Sequence, residues 1–462
     1  MLFSSPTFFA FFGLFVCVYR FVPARWRLWT VIIGSAIFYA WWHLEYLVLP
    51  LALTFIGYFG ASFVSASSNA GVRRQRLIFV LVILFAPLVF FKYTNFLLNH
   101  VIGAALETTI YHSDLALPLG ISFITFTIAA YIIDVHRRTY PLERHHSRLL
   151  GYVLFFPHLI AGPILRPREL LPQLDRLPAL DRRRATMAAA IFTVGLAKKL
   201  IIADQIAPLV DAVNTSDRAF LNWDYLLAIY GFAAQIYCDF SGYTDMAIGL
   251  AMFLGVRLPS NFARPYESTS IIEFWRRWHI TLSHWLRDYL YISMGGNRQG
   301  KLRQWQNLFV TMVLGGLWHG ANWTFVLWGA VHGLAIIAAH LLRTLGIRNP
   351  APHWVRVVIT FHFVAFAWIL FRAPDIATAW RVASGPFCAP WGDVVALALA
   401  HRFPLLLLLL FLAVHRFDSQ ARLRLAVRRL PKALVWLAIA LTWVLAITIS
   451  QGSSSNFIYF DF

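Results

Sequence analysis

The apolar residues of this chain come in long unbroken runs. Candidate membrane spans lie at Thr7–Val22, Leu28–Trp42, Tyr46–Ser65, Leu77–Leu98, Leu115–Ile133 and Met187–Ile206. Further runs are Tyr225–Leu254, Leu308–Trp318, Trp323–Leu342, Val355–Phe371, Pro404–Val414 and Ala433–Ser450. Without water in the bilayer core, only helices and closed barrels satisfy their own backbones. The runs are continuous rather than alternating, which excludes a barrel. Of the 462 residues, 59% are hydrophobic and only 13% charged, against about half apolar in a soluble domain. The expected fold class is therefore all-α, a polytopic membrane protein with about eleven transmembrane helices plus re-entrant and in-plane helices. No internal repeat or low-complexity segment interrupts it, so residues 1–462 read as a single membrane domain.

A net charge of +19 suggests nucleic acid at first sight, but the placement of the charge argues against that partner. Arg25 and Arg27, then Arg73, Arg74 and Arg76, then Arg137, Arg138, Arg144 and Arg148 follow alternate spans. Arg416, Arg422, Arg424, Arg428, Arg429 and Lys432 precede the last one. Intervening loops such as Asn99–Asp114 carry almost no basic residues. Positive-inside topology makes the basic loops cytoplasmic and turns both termini outward. An anionic ligand on the cytoplasmic side is the alternative use for such arginines. Met1 to Pro6 carries no basic n-region, so the first span is expected to stay in the mature protein. Cys17, Cys238 and Cys388 show neither metal nor disulfide spacing.

Two stretches depart from the pattern of simple spans. Gly151–Arg166 is apolar between basic flanks and contains Phe156-Pro157-His158 and Gly162-Pro163, which predicts a re-entrant or surface-lying piece. In Ile271–Ile292, the residues Ile271, Trp275, Trp278, Leu282, Trp285, Tyr289 and Ile292 recur at helical spacing. Glu273, Arg276, Arg277, His284, Arg287 and Asp288 fall opposite them. This pattern predicts a helix lying in the interface plane, aromatic side down. Ser270 and Glu273 form a capping-box pattern at its start, and His279 falls at the edge between the two faces.

Chemistry-bearing residues are few. His319 lies in Gly315-Gly316-Leu317-Trp318-His319-Gly320, between two apolar stretches. An ionisable group at membrane depth usually faces a cavity or a pathway; the alternative is a core histidine bonded to a carbonyl. His279 reads either as an interfacial aromatic-belt residue or as a functional partner. His332 ranks third, as a packing or tunnel residue. Asp239 and Asp245 sit six apart in an apolar stretch and need partners; pairing with a nearby arginine is expected, the alternative being that they orient a histidine or line a tunnel. No cluster of ligands at fixed spacing suggests a metal.

Longer motifs make the chain recognisable. Asn261-Phe262-Ala263-Arg264-Pro265-Tyr266, Phe274-Trp275-Arg276-Arg277-Trp278-His279-Ile280-Thr281-Leu282-Ser283 and Trp285-Leu286-Arg287-Asp288-Tyr289-Leu290-Tyr291-Ile292 form one block. Gly295-Gly296-Asn297-Arg298, Leu317-Trp318-His319-Gly320 and Asn456-Phe457-Ile458-Tyr459-Phe460-Asp461-Phe462 follow it. Pro118-Leu119-Gly120-Ile121-Ser122-Phe123, Ala161-Gly162-Pro163 and Asp239-Phe240-Ser241-Gly242-Tyr243-Thr244-Asp245-Met246-Ala247 precede it. Together they resemble the membrane-bound O-acyltransferase family, in the bacterial branch that modifies alginate, peptidoglycan and teichoic acids. The family often has an aromatic at Cys238, a glutamine at His158 and Pro-Leu at Ser293-Met294.

The resemblance implies helices around a central tunnel, with His319 as the general base and His279 assisting. It implies no bound cofactor, acetyl-CoA as donor, a polysaccharide acceptor and a bacterial cytoplasmic membrane location among membrane lipids. It also implies an extracytoplasmic SGNH-type partner that completes transfer. Arg276, Arg277 and Arg287 are the candidates to hold coenzyme A phosphates, since arginine binds phosphate bidentately; snorkelling toward the interface is the other reading. The expected function is O-acetylation of alginate, another exopolysaccharide, cellulose or peptidoglycan. Two rivals are a long-chain lipid or protein acyltransferase of the same superfamily and a transporter or flippase. The transporter predicts repeat symmetry between halves, which the sequence lacks.

Overall fold

The computed structural model describes residues 1–103, 116–160, 162–216, 219–347, 350–450 and 457–458. Most of the Asn99–Asp114 loop, Ala161, and the Asn456–Phe462 ending apart from Phe457 and Ile458 lie outside these residues. Among the described residues, all regular elements are helical. Six helices are long and apolar enough to cross a membrane: Glu45–Ser65, Ala70–Gly103, Arg182–Thr215, Trp323–Thr344, His353–Arg372 and Lys432–Ser450. Val394–Ala400 and Arg402–Phe417, bent by 89°, make a seventh if taken together. The expected number of about eleven rested on counting apolar runs against a length of roughly 20 residues. Several runs form shorter helices, with 16 residues in Pro6–Phe21 and in Ile121–His136 and 14 in Arg27–Ala40. Asn222–Phe253 and Gly300–His319 have the length, at 32 and 20 residues, but are not apolar enough.

The chain divides into two compact units: Met1–Phe192 with Met246–Pro259, and Thr193–Asp245 with Ser260–Phe462. In the first unit, Ser5 caps Pro6–Phe21 by accepting from the Phe8 amide at 3.2 Å. A ring cluster of Phe8, Phe15, Phe38 and Phe156 joins that helix to its neighbours. Ile121–His136 is apolar on every side, and 14 of its 16 residues are buried. A helix of that kind belongs inside a protein core. Gly57 of the Glu45–Ser65 span gives it room, since a Cβ there would lie 2.6 Å from Ile128 Cγ2.

The Gly151–Arg166 stretch is buried within the same unit from Gly151 through Leu165 wherever it is described, so the surface-lying alternative drops out. Its short helices, His146–Leu154 and Phe156–Leu159, leave backbone groups that other atoms satisfy. Ser35 Oγ accepts from the Phe156 amide at 3.1 Å, and Tyr152 OH donates to the Leu165 carbonyl at 2.7 Å. Irregular backbone at depth is tolerated only with such partners.

The second unit is organised by a tight helical hairpin, Gly300–His319 followed by Trp323–Thr344. Asn322 caps the second helix by accepting from the Thr324 amide at 3.1 Å. Glycines set the interhelical distance. A Cβ on Gly316 would strike the Phe325 carbonyl oxygen and come within 3.2 Å of the Gly329 nitrogen. One on Gly329 would strike the Met312 carbonyl and lie 2.9 Å from Val313 Cα. Small residues at such contacts let membrane helices pack backbone to backbone. Gly329→Ala is therefore expected to destabilise the protein by about 1–3 kcal/mol, as overpacking does. Thermal unfolding in detergent should show a clear loss for Gly329→Ala and none for Gly13→Ala, where nothing lies within 4 Å of the new methyl.

Candidate active site

His279 breaks the helix on which the sequence places it. The periodicity of Ile271–Ile292 predicts one continuous helix; the structure has Ile271–Arg277, then Ile280–Trp285, then a π-helical turn over Leu286–Tyr291. Trp278 is extended and His279 is left-handed at φ 40°. A non-glycine residue held there costs of order 1–3 kcal/mol and persists only where the surroundings impose it. The Asn261 loop imposes it. The Ile280 amide donates to the Asn261 carbonyl at 2.9 Å, and the Ala263 amide donates to the Arg277 carbonyl at 2.9 Å. Asn261 Oδ1 accepts from the Thr281 amide at 3.2 Å and from Thr281 Oγ1 at 2.9 Å. The second helix thus receives its N-terminal cap from a distant residue, which no local pattern reveals.

The capping pattern at the start of this region is present in altered form. Ser270 Oγ accepts from the Glu273 amide at 3.3 Å, but Glu273 Oε2 accepts from the amide and hydroxyl of Thr269 at 2.8 and 2.7 Å. The apolar face is also not lipid-facing. Trp275, Trp278, Leu282, Trp285 and Tyr289 are buried, while Ile292 is exposed. Trp278 packs on Trp368 at 4.8 Å and Trp275 on Trp328 at 5.7 Å, between ring centroids. Amphipathic periodicity reports a buried face without saying whether lipid or protein covers it.

His319 ends the first helix of the hairpin and is 3% exposed. Its ring lies 4.9 Å from Trp318, 5.3 Å from Trp328 and 5.0 Å from Phe371. His279 is fully buried, with its ring 6.1 Å from Trp318 and 4.7 Å from Phe240. The two histidines therefore border a single indole, that of Trp318. Burial pushes the His279 imidazole down to about 3, so the ring is neutral near neutral pH. His332 is fully buried one helical turn beyond Trp328. It receives a hydrogen bond from Trp275 Nε1 on Nδ1 at 3.3 Å, and its ring lies 4.8 Å from Trp328.

The three arginines do not share one environment. Arg276 is exposed. Arg277 pairs with Glu273 at 2.5 Å, and Arg287 with Asp288 at 2.6 Å. Burial favours the protonated Glu273, but the Thr269 donors and the Arg277 guanidinium outweigh it and hold the carboxyl below its ordinary range.

Asp239 and Asp245 pair with lysines, not with the arginine that the sequence suggested. Lys199 Nζ lies 2.7 Å from Asp204 and 2.8 Å from Asp239; Lys198 Nζ lies 2.7 Å from Asp245 and 2.6 Å from Asp418. Both lysines begin a π-helical turn over Lys198–Ala203. Gly242, midway between the two aspartates, permits the approach: a Cβ there would lie 2.7 Å from the Gly195 carbonyl. Three of these carboxylates also accept from other donors. Asp239 accepts from the Ile458 amide at 2.8 Å, Asp245 from Gln420 at 2.9 Å and Asp418 from Tyr237 at 2.6 Å. An Asp-x-x-Gly-x-x-Asp helix opposite a Lys-Lys pair was the available signal, and its partner was not readable from spacing.

A family model for membrane-bound O-acyltransferases matches residues 35–378. The chain belongs to the membrane-bound O-acyltransferase family. It is an acyltransferase and a multi-pass membrane protein. It is 43% identical to a probable alginate O-acetylase of Azotobacter vinelandii, covering 84% of this chain and 78% of that one. It is 36% identical to a peptidoglycan O-acetyltransferase of Helicobacter pylori, covering 83% and 79%. A teichoic acid D-alanyltransferase of Bacillus subtilis is 29% identical over 55% of this chain and 68% of that one.

Removing one member of a buried ion cluster leaves uncompensated charge, at a cost of about 3–5 kcal/mol. Lys199→Met is expected to lower the unfolding temperature in detergent strongly. Adding Asp204→Asn and Asp239→Asn should recover part of the loss, because the orphaned carboxylates are then gone.

Proposed function

We propose that this chain takes acetyl from cytosolic acetyl-CoA and delivers it for O-acetylation of a polysaccharide outside the bacterial cytoplasmic membrane. The convergence of His319 and His279 on the Trp318 indole carries the reading. Acyl transfer to a hydroxyl needs a base that accepts the hydroxyl proton as the oxygen attacks the thioester carbonyl. In this reading His319 is that base. The carbonyl carbon becomes tetrahedral, the C–S bond breaks, and the thiolate of coenzyme A leaves and is protonated. His279, neutral and enclosed, assists from its place beside Trp318. The glycine-locked hairpin supports the role by fixing where His319 sits.

The nature of the acceptor is supported by the relatives. Those more than 40% identical over 84% of the chain are described as probable alginate O-acetylases, including one from Pseudomonas aeruginosa at 41%. An acidic exopolysaccharide is the acceptor class we favour, reached through a separate SGNH-type protein on the outer side. A small acyl donor fits acetylation better than a long chain.

Arg276, Arg277 and Arg287 are proposed to meet the coenzyme A phosphates. Arg276 is available as it stands, whereas Arg277 and Arg287 would exchange an acidic partner for a phosphate.

His319→Ala is expected to insert and fold but lose acetyl transfer. The measurement is coenzyme A release from acetyl-CoA by purified protein, alongside polysaccharide acetylation in cells. Near-normal acetylation by a folded variant would remove His319 from the chemistry. Palmitoyl-CoA should turn over far more slowly than acetyl-CoA; the reverse preference would favour a long-chain acyltransferase. For correctly inserted Arg277→Glu, the KM for acetyl-CoA should rise roughly tenfold, equivalent to about 1.4 kcal/mol. An unchanged KM would return this arginine to anchoring the helix.

A further inference from the structure

Asn261 touches His279 through the same oxygen that caps the following helix. Asn261 Oδ1 lies 3.1 Å from His279 Nδ1 while also receiving the Thr281 amide and hydroxyl. A backbone N–H can only donate, so the atom facing Thr281 is the amide oxygen, and the reversed orientation of the Asn261 amide would set two donors against each other. An oxygen cannot donate to Nδ1, so Nδ1 must carry the proton. A neutral imidazole has one proton, which leaves Nε2 with its lone pair. Among the described residues, Nε2 is buried and has no hydrogen-bond partner. The ring faces Phe240, Phe262, Trp318 and Asn261, and no charged side chain appears among these neighbours. A buried nitrogen lone pair without a donor is costly, and a substrate O–H or N–H would relieve that cost.

We infer that Asn261 is the positioning residue that fixes the His279 tautomer, making Nε2 the atom that accepts a hydrogen bond or proton from substrate during acyl transfer. This rests on the reading of His279 as part of the active site. The Asn261 loop and the left-handed turn at His279 then have one purpose. The Ile280 amide on the Asn261 carbonyl and the Thr281 amide and hydroxyl on Oδ1 hold the helix start, and Oδ1 also sets which ring nitrogen carries the proton. Leucine or alanine at position 261 would leave Nδ1 free to exchange its proton with Nε2. Aspartate would keep the acceptor, and its charge would favour the imidazolium.

Three variants and two readouts test this. In the full chain labelled with 15N-histidine, the signal missing from His279→Ala is expected to show a protonated Nδ1 and a bare Nε2 from pH 8 to pH 5. A protonated Nε2 in the unmodified protein would overturn the inference without any activity measurement. For coenzyme A release from acetyl-CoA, Asn261→Ala should lower kcat at least tenfold with KM little changed. Asn261→Asp should recover activity at high pH, with its acid limb displaced upward by a unit or more. Equal losses in both variants with no displacement would reduce Asn261 to a helix cap. If Asn261→Ala does not assemble, the acid limb of Asn261→Asp decides alone: displaced in support, unmoved against. Should His279→Ala retain full turnover, the active-site reading fails, whereas an inactive His279→Ala beside a fully active Asn261→Ala defeats only the role of Asn261.

Discussion

Two adjacent lysines hold four carboxylates, and the second unit is built around that arrangement. Lys198 and Lys199 reach Asp245 and Asp418 on one side and Asp204 and Asp239 on the other. Each acid comes from a different stretch of chain, apart from the two on Asn222–Phe253. Charged groups in apolar surroundings are tolerated only when paired and hydrogen-bonded. Here the demand is met by side chains, a tyrosine, a glutamine and the Ile458 amide. The cluster therefore joins segments hundreds of residues apart in sequence, including Phe457 and Ile458, where Phe457 also packs on Tyr243.

The aromatic system beside His319 works by a different principle. Trp328 stacks on Trp368 at 5.5 Å and 19° and meets the His319 ring nearly edge-on. Phe371 touches both His319 and Trp328. Rings pack with large contact area and few rotatable bonds, so Trp318, Trp328 and Phe371 fix the place of the His319 ring by shape. The His279 ring is likewise enclosed by Phe240, Phe262 and Trp318, with Asn261 Oδ1 on its Nδ1 in addition.

Much of the architecture was legible in the chain. Apolar run length indicated helices throughout, and the two histidines that the family motifs singled out, His319 and His279, both lie against the Trp318 ring. What could not be read depends on groups distant in sequence. The break at His279 is imposed by Asn261, 18 residues earlier, against a periodicity that runs straight through it. The lysine partners of Asp239 and Asp245 lie some forty residues back, and spacing within one helix carries no information about them. Hydrophobic periodicity likewise marked Trp275 and Trp278 as buried, but lipid and protein leave the same imprint on a sequence. The span number differed because apolarity tells of burial, and Ile121–His136 is buried by its own unit.

The π-helical turn at Lys198–Ala203 accommodates one residue more than an α-helical turn would. Losing a single residue there would restore an ordinary turn and leave the flanking helices in phase, whereas the same loss from an α-helical stretch beside it would rotate all that follows by about 100°. The wide turn also brings Lys199 and Asp204, five residues apart, onto one face. Changes of length are therefore absorbed within this turn and not next to it.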